Sequence, residues 1–348
     1  MSLPARRMSS THVLLLGSAP VLLSLLNASA RGAYGISVGD ILRTLWALVS
    51  GGLDGSPEQL VFLNIRLPRL FLGLAAGAGL GLSGALMQGL FRNPLADPGL
   101  IGVSSGAALA AGITIVLGSR YFPDLPRSLG SWTLVATAFA GSLSVTALIY
   151  MLAQSDDGTR VGLMLLAGVA INALAGAGLG GLSFLASDEQ LRSLQFWLLG
   201  SLGGARWSAV ILVCTIVLIA ACAGATCARP LNAIALGEAQ AVLLGVDVER
   251  TKRLAIGVTA LAVGAVTATT GMIGFVGLLA PHCVRLVAGP DHRVVLPGSA
   301  MLGAALVLLA DSVARTAVQP AELPLGVLTA LVGVPFFLVL LRQFKGRV

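Results

Sequence analysis

Residues 161–187 read VGLMLLAGVAINALAGAGLGGLSFLAS and contain no charged side chain. A helix needs roughly 20 apolar residues to cross a hydrocarbon core of about 30 Å, and this run is long enough. Similar charge-free runs occupy residues 13–30, 60–90, 99–118, 129–153, 207–227, 254–281, 294–310 and 323–341. The 254–281 run, with the apolar stretch to Ala288, is long enough for two helices turning near Thr270 and Gly271. The sequence therefore predicts an all-α integral membrane protein of about ten transmembrane helices.

Composition agrees with this fold class. Hydrophobic residues form 56% of the 348-residue chain and charged residues only 11%, whereas soluble domains carry about 25% charged residues. The net charge of +7 does not indicate nucleic-acid binding, because the basic residues sit at the ends of apolar runs. No linker is visible, so residues 1–348 are predicted to form a single polytopic transmembrane domain. The four cysteines show no metal or disulfide spacing and are expected to be small buried hydrophobes: Cys214, Cys222, Cys227 and Cys283.

Orientation follows from the basic residues and an even number of spans. The longest polar loop, 229–253, carries several of them and is predicted to be cytoplasmic, together with both termini. Four arginines gather on the opposite face: Arg66, Arg69, Arg192 and Arg315. The first run has a second interpretation as a secretory signal, since Ala28-Ser29-Ala30 resembles a cleavage site.

The chemistry that the sequence lacks is informative. Every Asp and Glu, Asp311 included, is predicted to flank a span or lie in the 229–253 loop, whereas ion-coupled carriers typically bury a carboxylate or histidine near the midplane. The sequence has no phosphate-binding Gly-x-x-x-x-Gly-Lys-[Ser/Thr] loop and no nucleophile–base constellation. We therefore expect a chain that is not an enzyme on its own and holds no metal. An ion-coupled secondary transporter is the alternative from another class.

Glycine is abundant, with 44 residues. Small residues let membrane helices approach closely. The glycine-rich runs at 73–81 and 174–181 are therefore predicted to be helix-packing faces.

The loop between two spans contains apolar residues at helical spacing. Leu236, Ala239, Leu243 and Val246 recur every three or four positions within residues 231–249. This pattern predicts a short amphipathic helix. From the residues alone, such a helix either lies on lipid headgroups or fits into a cleft of a cytoplasmic partner.

Several stretches together resemble the iron-chelate, haem and cobalamin permeases, the FecCD-type transmembrane subunits of type II ABC importers. The resemblance covers the chain after about residue 58, in the family's order and spacing. It rests on RLPR (66–69), LSGALMQGLFRNPLADPGLIGVSSGAALA (82–110), LLAGVAIN (165–172), FWLLGSLGGARW (196–207), LNAIALGEAQAVLLGVDVER (231–250), GMIGFVGLLAPHCVRLVAGPDHR (271–293) and LLADSVARTAVQPAELPLGVLTALVGVPFFLVLLR (308–342).

The resemblance implies the type II ABC importer permease fold and its partners. Two copies would form a homodimer in the bilayer, with two ABC ATPase subunits below and a periplasmic binding protein above. ATP and Mg²⁺ would be bound by the ATPases, and no cofactor by this chain. The 229–253 loop would then be the coupling loop, because part of it echoes the family's Glu-Ala-Ala…Gly pattern. The coupling residues carried over are Leu236, Gly237, Glu238, Ala239 and Gly245.

The resemblance also assigns a docking site and a gate. Arg66, Arg69 and Arg315 match positions where relatives present arginines to acidic residues of the binding protein, and guanidinium forks pair well with carboxylates. Asn93 and Leu95 match a cytoplasmic gate. The loop at 155–160 departs from the family pattern, so no gate role is assigned to it.

The cargo expected from the resemblance is haem, because residues 188–197 and the GLFRNPLADPGL stretch look most like haem-importing members. A ferric siderophore is the alternative, and cobalamin is a further one. The protein would lie in the bacterial inner membrane. His282 and His292 are expected to make helix-end hydrogen bonds rather than to bind iron.

Overall fold

A computed structural model describes residues 10–30, 34–118, 121, 130–156 and 158–345, and these are almost entirely helical. The helices are α1 (Ser10–Ala30), α2 (Val38–Ser50), α3 (Pro57–Leu90), α4 (Val103–Gly118), α5 (Trp132–Leu152), α6 (Val161–Leu185), α7 (Asp188–Leu199), α8 (Trp207–Thr226), α9 (Ala228–Ile234), α10 (Glu238–Leu243), α11 (Val248–Thr270), α12 (Val276–Ala288), α13 (His292–Thr316) and α14 (Leu325–Lys345). One π-helical turn lies within α3 and another ends α4. A small antiparallel hairpin pairs Gln154–Ser155 with Gly158–Thr159.

Six helices in the described part of the chain are long and apolar enough to cross a membrane: α3, α5, α6, α8, α11 and α13. Shorter apolar helices are α4, α12 and the Leu325–Val339 part of α14. The all-helical membrane architecture is thus confirmed.

The 254–288 region contains two helices, as predicted. Helix α11 ends at Thr270, and Gly271 follows with φ of 72°, a left-handed conformation that glycine adopts readily. Helix α12 begins at Val276. The chain therefore reverses within residues 271–275.

Two further helices, α2 and α7, were not among the predicted spans, because each carries charged residues. Both begin with a capping box, Ser37 with Asp40 and Ser187 with Gln190, in which side chain and backbone satisfy each other's first-turn donors. With 13 and 12 residues, they are shorter than the six long apolar helices.

Helix α3 lies at the centre of the bundle. In an 18-residue apolar stretch of this helix, 83% of the residues are buried. Helix α13 packs along it at backbone distance. A Cβ on Gly77 would lie 2.3 Å from the Gly303 carbonyl oxygen, and one on Gly81 would lie 2.0 Å from that of Ser299. Since these contacts admit only glycine, the packing role of the 73–81 run is confirmed.

The second glycine run behaves differently. A Cβ on Gly176, Gly180 or Gly181 would meet no atom within 4 Å in the described structure. In an 18-residue apolar stretch of α6, only 17% of the residues are buried. Gly178 does face a neighbour, because a Cβ there would lie 2.9 Å from Leu109 Cδ1 of α4, and Ala175 is 2% exposed. The predicted packing face at 174–181 is therefore confirmed on the side of Ala175 and Gly178, and the side of the other three glycines is open within the described structure.

The cysteines are all free thiols, but they are not uniformly buried. Cys227 is buried, Cys214 and Cys283 are half-buried, and Cys222 is exposed. The expectation of burial was wrong for Cys222. This residue lies on α8, and only 28% of the residues in an 18-residue apolar stretch of α8 are buried.

Candidate functional site

Two groups of polar residues lie at opposite ends of α3. Arg69 lies in the first half of α3, just after its π-helical turn, and Gly89 near the end of α3 faces His292 and Leu231 of the 229–253 loop. At 1.5 Å per residue, Arg69 and Leu90 are separated by roughly 31 Å along the helix axis, close to the thickness of a hydrocarbon core. The two groups are therefore positioned to lie at opposite membrane faces.

The first group is the arginine cluster, which consists of Arg66, Arg69, Asp311, Arg315 and Glu322. Arg69 donates from Nε and Nη2 to Asp311 Oδ1 at 3.0 and 2.8 Å. It also donates from Nη1 and Nη2 to the two oxygens of Glu322 at 2.9 and 2.8 Å. Its guanidinium is thus shared between two carboxylates of the same chain.

The other two arginines hold the end of α1. Arg66 Nη1 donates to the Ser29 carbonyl at 2.6 Å, and Nη2 donates to the Tyr34 carbonyl. Arg315 Nη2 donates to the Ala28 carbonyl at 3.1 Å, and its Nε lies 3.0 Å from Asp311 Oδ2. Asp311 therefore neutralises Arg69 and Arg315 together.

The structure brings the three predicted docking arginines together, but it buries them. Arg66, Arg69 and Arg315 are 4%, 8% and 8% exposed. Their charged groups face carboxylates and carbonyls of this chain. A docking role would therefore require some of these contacts to exchange.

Asp311 was placed wrongly by the sequence. It was predicted to flank a span, yet it lies inside α13 and is 2% exposed. The predicted span ended at residue 310 because it was defined as a run without charged residues. In the structure the helix continues past Asp311, since Arg69 and Arg315 neutralise its carboxylate. The sequence shows Arg66 three residues before Arg69 and Asp311 four residues before Arg315. It does not show that Asp311 pairs with Arg69.

Glu322 is the outermost member of the cluster, with its side chain 43% exposed. It lies between α13 and α14, outside both helices. The hydrogen bonds from Arg69 hold the pKa of this carboxyl below its usual value. It is therefore a charged, partly accessible acid on an otherwise buried arginine.

The second group lies in the 229–253 loop, where the resemblance implied a coupling role. The single amphipathic helix predicted over 231–249 is wrong, because α9 and α10 are separate short helices. Gly237 separates them with φ of 123°, and a Cβ there would lie 2.1 Å from Gln240 Oε1. Gly245, with φ of 79°, follows α10. The two glycines therefore bracket α10.

Three of the four predicted apolar residues of this loop face outward, whereas Val246 is half-buried and packs against the buried side. Leu236 and Leu243 are 68% and 87% exposed, and Ala239 is exposed as well. The buried residues are instead Ala233, Ile234, Ala241 and Val248. The chain thus presents an apolar knob at this end, built on Leu236, Val242, Leu243 and Leu244.

The predicted gate residues follow α3 directly. Arg92 has φ of 49°, and Asn93 Oδ1 accepts a hydrogen bond from the Leu95 amide at 2.9 Å. Asn93 is exposed and Leu95 is half-buried. The turn is thus held by the Asn93 side chain itself.

The hairpin at 154–159 and the start of α11 form a polar contact that the sequence did not indicate. Glu249 accepts a hydrogen bond from the Thr159 amide at 3.0 Å. Lys252 Nζ donates to the Thr159 carbonyl at 2.8 Å and to Glu238 Oε2 at 2.7 Å. Lys252 was visible only as one of several basic residues of the loop.

A polar cavity of about 330 Å³ opens between α4, α6 and the 271–275 turn. Asn172 Nδ2 donates to the Gly99 carbonyl at 3.1 Å, and Ser105 Oγ donates to Asn172 Oδ1 at 2.5 Å. Asp97 and Ser104 also line it. The sequence did not single out these residues, which come from three separate stretches.

The two histidines differ. His292 Nδ1 lies 2.8 Å from Asn232 Oδ1 at the start of α13, so the expected helix-end hydrogen bond is confirmed. His282 lies inside α12, and neither ring nitrogen has a hydrogen-bond partner among the described residues. The expectation was wrong there, because the ring packs edge-on to Phe336 instead.

Comparison with known proteins identifies the family. The chain matches the FecCD transport family over residues 20–343. It is 43% identical over 335 residues to the hemin transport system permease protein HmuU of Yersinia pestis, covering 96% of this chain and 97% of the relative. It is 44% identical over 298 residues to the cobalamin import system permease protein BtuC of Halobacterium salinarum, covering 84% and 77%.

A solved structure shows the same fold. The chain superposes with a TM-score of 0.82 and 30% identity on an inward-facing ABC transporter described as of the metal-chelate type, covering 96% of this chain and 99% of that one. Family members are permease components that work with ATPase and binding-protein partners. The chain therefore belongs to the FecCD transport family and is a membrane permease subunit of an ABC transporter.

Proposed function

We propose that this chain is the permease subunit of an ABC importer that moves haem across the bacterial inner membrane into the cytoplasm. The observation that carries the cargo is the 43% identity to a hemin permease along 96% of the chain. ATP and Mg²⁺ bind to partner ATPases, and haem is the transported substrate rather than a resident cofactor.

Cobalamin is the second candidate cargo, because a cobalamin permease is 44% identical over 298 residues. A ferric siderophore is a further candidate that the metal-chelate type of the structural relative favours. An ion-coupled carrier is disfavoured by Asp311, since two arginines already neutralise this carboxylate within a span.

The working unit is a homodimer with ten spans in each copy. The ten are the six long apolar helices together with α1, α4, α12 and α14. The open face of α6 supports this arrangement, because a Cβ on Gly180 or Gly181 would meet nothing within 4 Å among the described residues, which leaves room for a second copy. The polar cavity beside Asn172 opens next to that face and is suited to line the pathway.

Both termini face the cytoplasm, which places the arginine cluster at the periplasmic face. The first helix is retained rather than cleaved as a signal. Its contacts support retention: Asn27 Nδ2 donates to Ser312 Oγ at 3.1 Å, and Arg66 and Arg315 hold the carbonyls of Ser29 and Ala28.

A periplasmic haem-binding protein docks on Arg66, Arg69 and Arg315. Since Glu322 is the partly exposed partner of Arg69, acidic residues of the binding protein reach Arg69 by replacing Glu322. This exchange preserves the charge balance of a buried guanidinium. Charge attraction also steers the approach of the binding protein.

At the cytoplasmic face, each coupling loop seats in a cleft of one of two ABC ATPases through Leu236, Gly237, Glu238, Ala239 and Gly245. The exposed leucines of the apolar knob support this role, because they would be covered by a partner. Nucleotide binding shifts the permease between two states for which the ATPases have different affinity. Asn93 and Leu95 close the cytoplasmic exit in one of these states.

Growth of a haem auxotroph on external haem tests the cargo. A bacterial strain that cannot synthesise haem and lacks its own haem permease should grow on external haem only when this chain, its ATPase and its binding protein are supplied together. Growth that also requires intact ATPase chemistry supports the proposal. Failure on haem, with rescue of a cobalamin or siderophore auxotroph by the same genes, would replace haem by that cargo.

A further inference from the structure

Lys252 connects two elements that are far apart in the sequence. Its side chain is 6% exposed, and its Nζ donates to Glu238 Oε2 of α10 at 2.7 Å and to the Thr159 carbonyl of the hairpin at 2.8 Å. Lysine is almost never buried unless its charge is paired. Here one ammonium group is paired across the coupling loop and the hairpin.

Glu249, three residues before Lys252 on α11, accepts hydrogen bonds from the other two polar groups of Thr159, its amide and its hydroxyl. Its Oε2 accepts from the Thr159 amide at 3.0 Å, and its Oε1 accepts from the Thr159 hydroxyl and, at 3.1 Å, from Tyr150 Oη of α5. Thr159 is 3% exposed. Its amide, hydroxyl and carbonyl are therefore all bound by the first turns of α11.

The position of Thr159 gives this contact a mechanical meaning. The hairpin joins α5 to α6, and α6 begins at Val161, two residues after Thr159. Helix α6 carries the open glycine face beside the polar cavity. A displacement of Thr159 therefore acts directly on the start of a span that borders the cavity.

We infer that Lys252 is a positioning residue that makes the 154–159 hairpin and the start of α6 move together with the coupling helix α10. This inference rests on the proposed coupling role of α10. If an ATPase shifts Glu238, the buried ammonium either follows it and draws Thr159 along or loses its counter-charge. Because an unpaired buried charge is strongly unfavourable, the linked movement is preferred.

The same contact also identifies a function for the Glu238 carboxylate. Its side chain is 39% exposed and points to Lys252, so it acts within the chain as well as at the edge of the knob. The hairpin at 154–159, whose sequence departs from the family pattern, would therefore move when the coupling loop moves.

The test uses the full chain reassembled with its ATPase and binding protein in proteoliposomes, with haem as the probe. Lys252→Met removes both hydrogen bonds and keeps the aliphatic stem. We expect ATP hydrolysis to continue while haem transported per ATP falls by about tenfold. Arg253→Met is the matched control, because Arg253 is the adjacent exposed cation on α11 and should leave this ratio unchanged.

A second readout follows the linkage itself. Spin labels on Gln240→Cys of α10, an exposed position outside the coupling residues, and on Asp156→Cys of the hairpin report their separation in a chain whose native cysteines are alanine. In the wild-type background the separation should stay constant between nucleotide-free and ATP-bound states, since the two elements move together. With Lys252→Met it should change on ATP binding, which a purely stabilising lysine would not produce.

Glu238→Gln is the second variant, for use if Lys252→Met does not assemble. It removes the ion pair from its more exposed side, and it should lower haem transported per ATP in the same direction. The double variant should lose no more than either single one, because both remove the same interaction.

Normal transport per ATP in both variants would overturn the inference. The proposed coupling role would nevertheless stand if Gly237→Ala uncouples transport in the same preparation. If the wild-type assembly shows no ATP-dependent uptake of haem, the proposed function fails first, and the inference falls with it.

Discussion

Arg69 and Asp311 are 242 residues apart in sequence, and the guanidinium binds the carboxylate through Nε and Nη2 at 3.0 and 2.8 Å. Asp311 also faces Arg315, with its Oδ2 3.0 Å from Arg315 Nε. One buried acid therefore balances two buried cations, and its contact with Arg69 joins α3 to α13.

Removing that acid should destabilise the bundle. Asp311→Asn leaves Arg69 and Arg315 without their shared counter-ion, and breaking a buried pair in this way costs about 3–5 kcal/mol. We expect a clear fall in the thermal unfolding midpoint of the purified chain in detergent. Glu189→Gln, an exposed acid of α7, is the control and should have little effect. Equal stability of the two variants would show that the cluster does not hold α3 to α13.

Glu322 should compete with the binding protein for Arg69. Glu322→Gln weakens the internal ion pair, so the binding protein should dock about two- to fivefold more tightly, the range expected for a partly exposed pair. The affinity can be measured by surface plasmon resonance on the permease in nanodiscs. Asp188→Asn removes one exposed negative charge elsewhere and controls for net charge. Unchanged affinity with Glu322→Gln would contradict the exchange.

Arg69→Gln should act in the opposite direction. The amide cannot pair bidentately with a carboxylate, so docking should weaken, and the difference from wild type should shrink at high salt as charges are screened. The same resonance measurement, repeated over a series of salt concentrations, checks this. A loss of affinity independent of salt would indicate a change of shape rather than of charge.

Gly237→Ala should uncouple ATP hydrolysis from transport. The residue has φ of 123°, a backbone conformation that residues with a Cβ rarely adopt, so alanine should displace the start of α10. Haem transported per ATP, measured in proteoliposomes, should fall while the chain still assembles. Gly257→Ala is the control, because a Cβ there meets nothing within 4 Å and alanine favours the helix.

The stabilising effect of Glu322 should depend on pH in a defined direction. Hydrogen bonds from Arg69 lower its pKa from the usual value of 4.5. A depressed pKa means that the stabilisation is complete above the unfolded-state value and is lost as pH falls through the folded-state value. The stability difference between wild type and Glu322→Gln should therefore be constant near neutral pH and shrink below about 4.5. A difference that grows on acidification would contradict the pairing.

The spans could be predicted because membrane insertion requires long apolar runs, and residues 161–187 alone illustrate this requirement. The reversal after Thr270 was also predictable from length and glycine content. The run at 73–81 and the run at 174–181 look alike in sequence. The first packs at backbone distance against α13, whereas Gly178 is the one glycine of the second whose Cβ would meet a neighbouring helix among the described residues. Packing partners are decided by the assembled bundle and not by local composition.

The candidate site was predictable in its residues but not in its contacts. Family resemblance brought Arg66, Arg69 and Arg315 together, yet it did not reveal that Asp311 pairs with Arg69 and Arg315 or that Glu322 pairs with Arg69. Lys252 and Thr159 are 93 residues apart, and no spacing rule connects them. Such pairs form only when separate helices meet, so they are visible in coordinates alone.

The central claim is that this permease imports haem with energy from a partner ATPase. The most direct measurement is haem uptake into proteoliposomes that contain the permease with its ATPase, with the binding protein outside and ATP inside. The account predicts uptake that requires ATP, the ATPase and the binding protein, and that a ferric siderophore or cobalamin does not inhibit. Uptake driven by an ion gradient without the ATPase would contradict it.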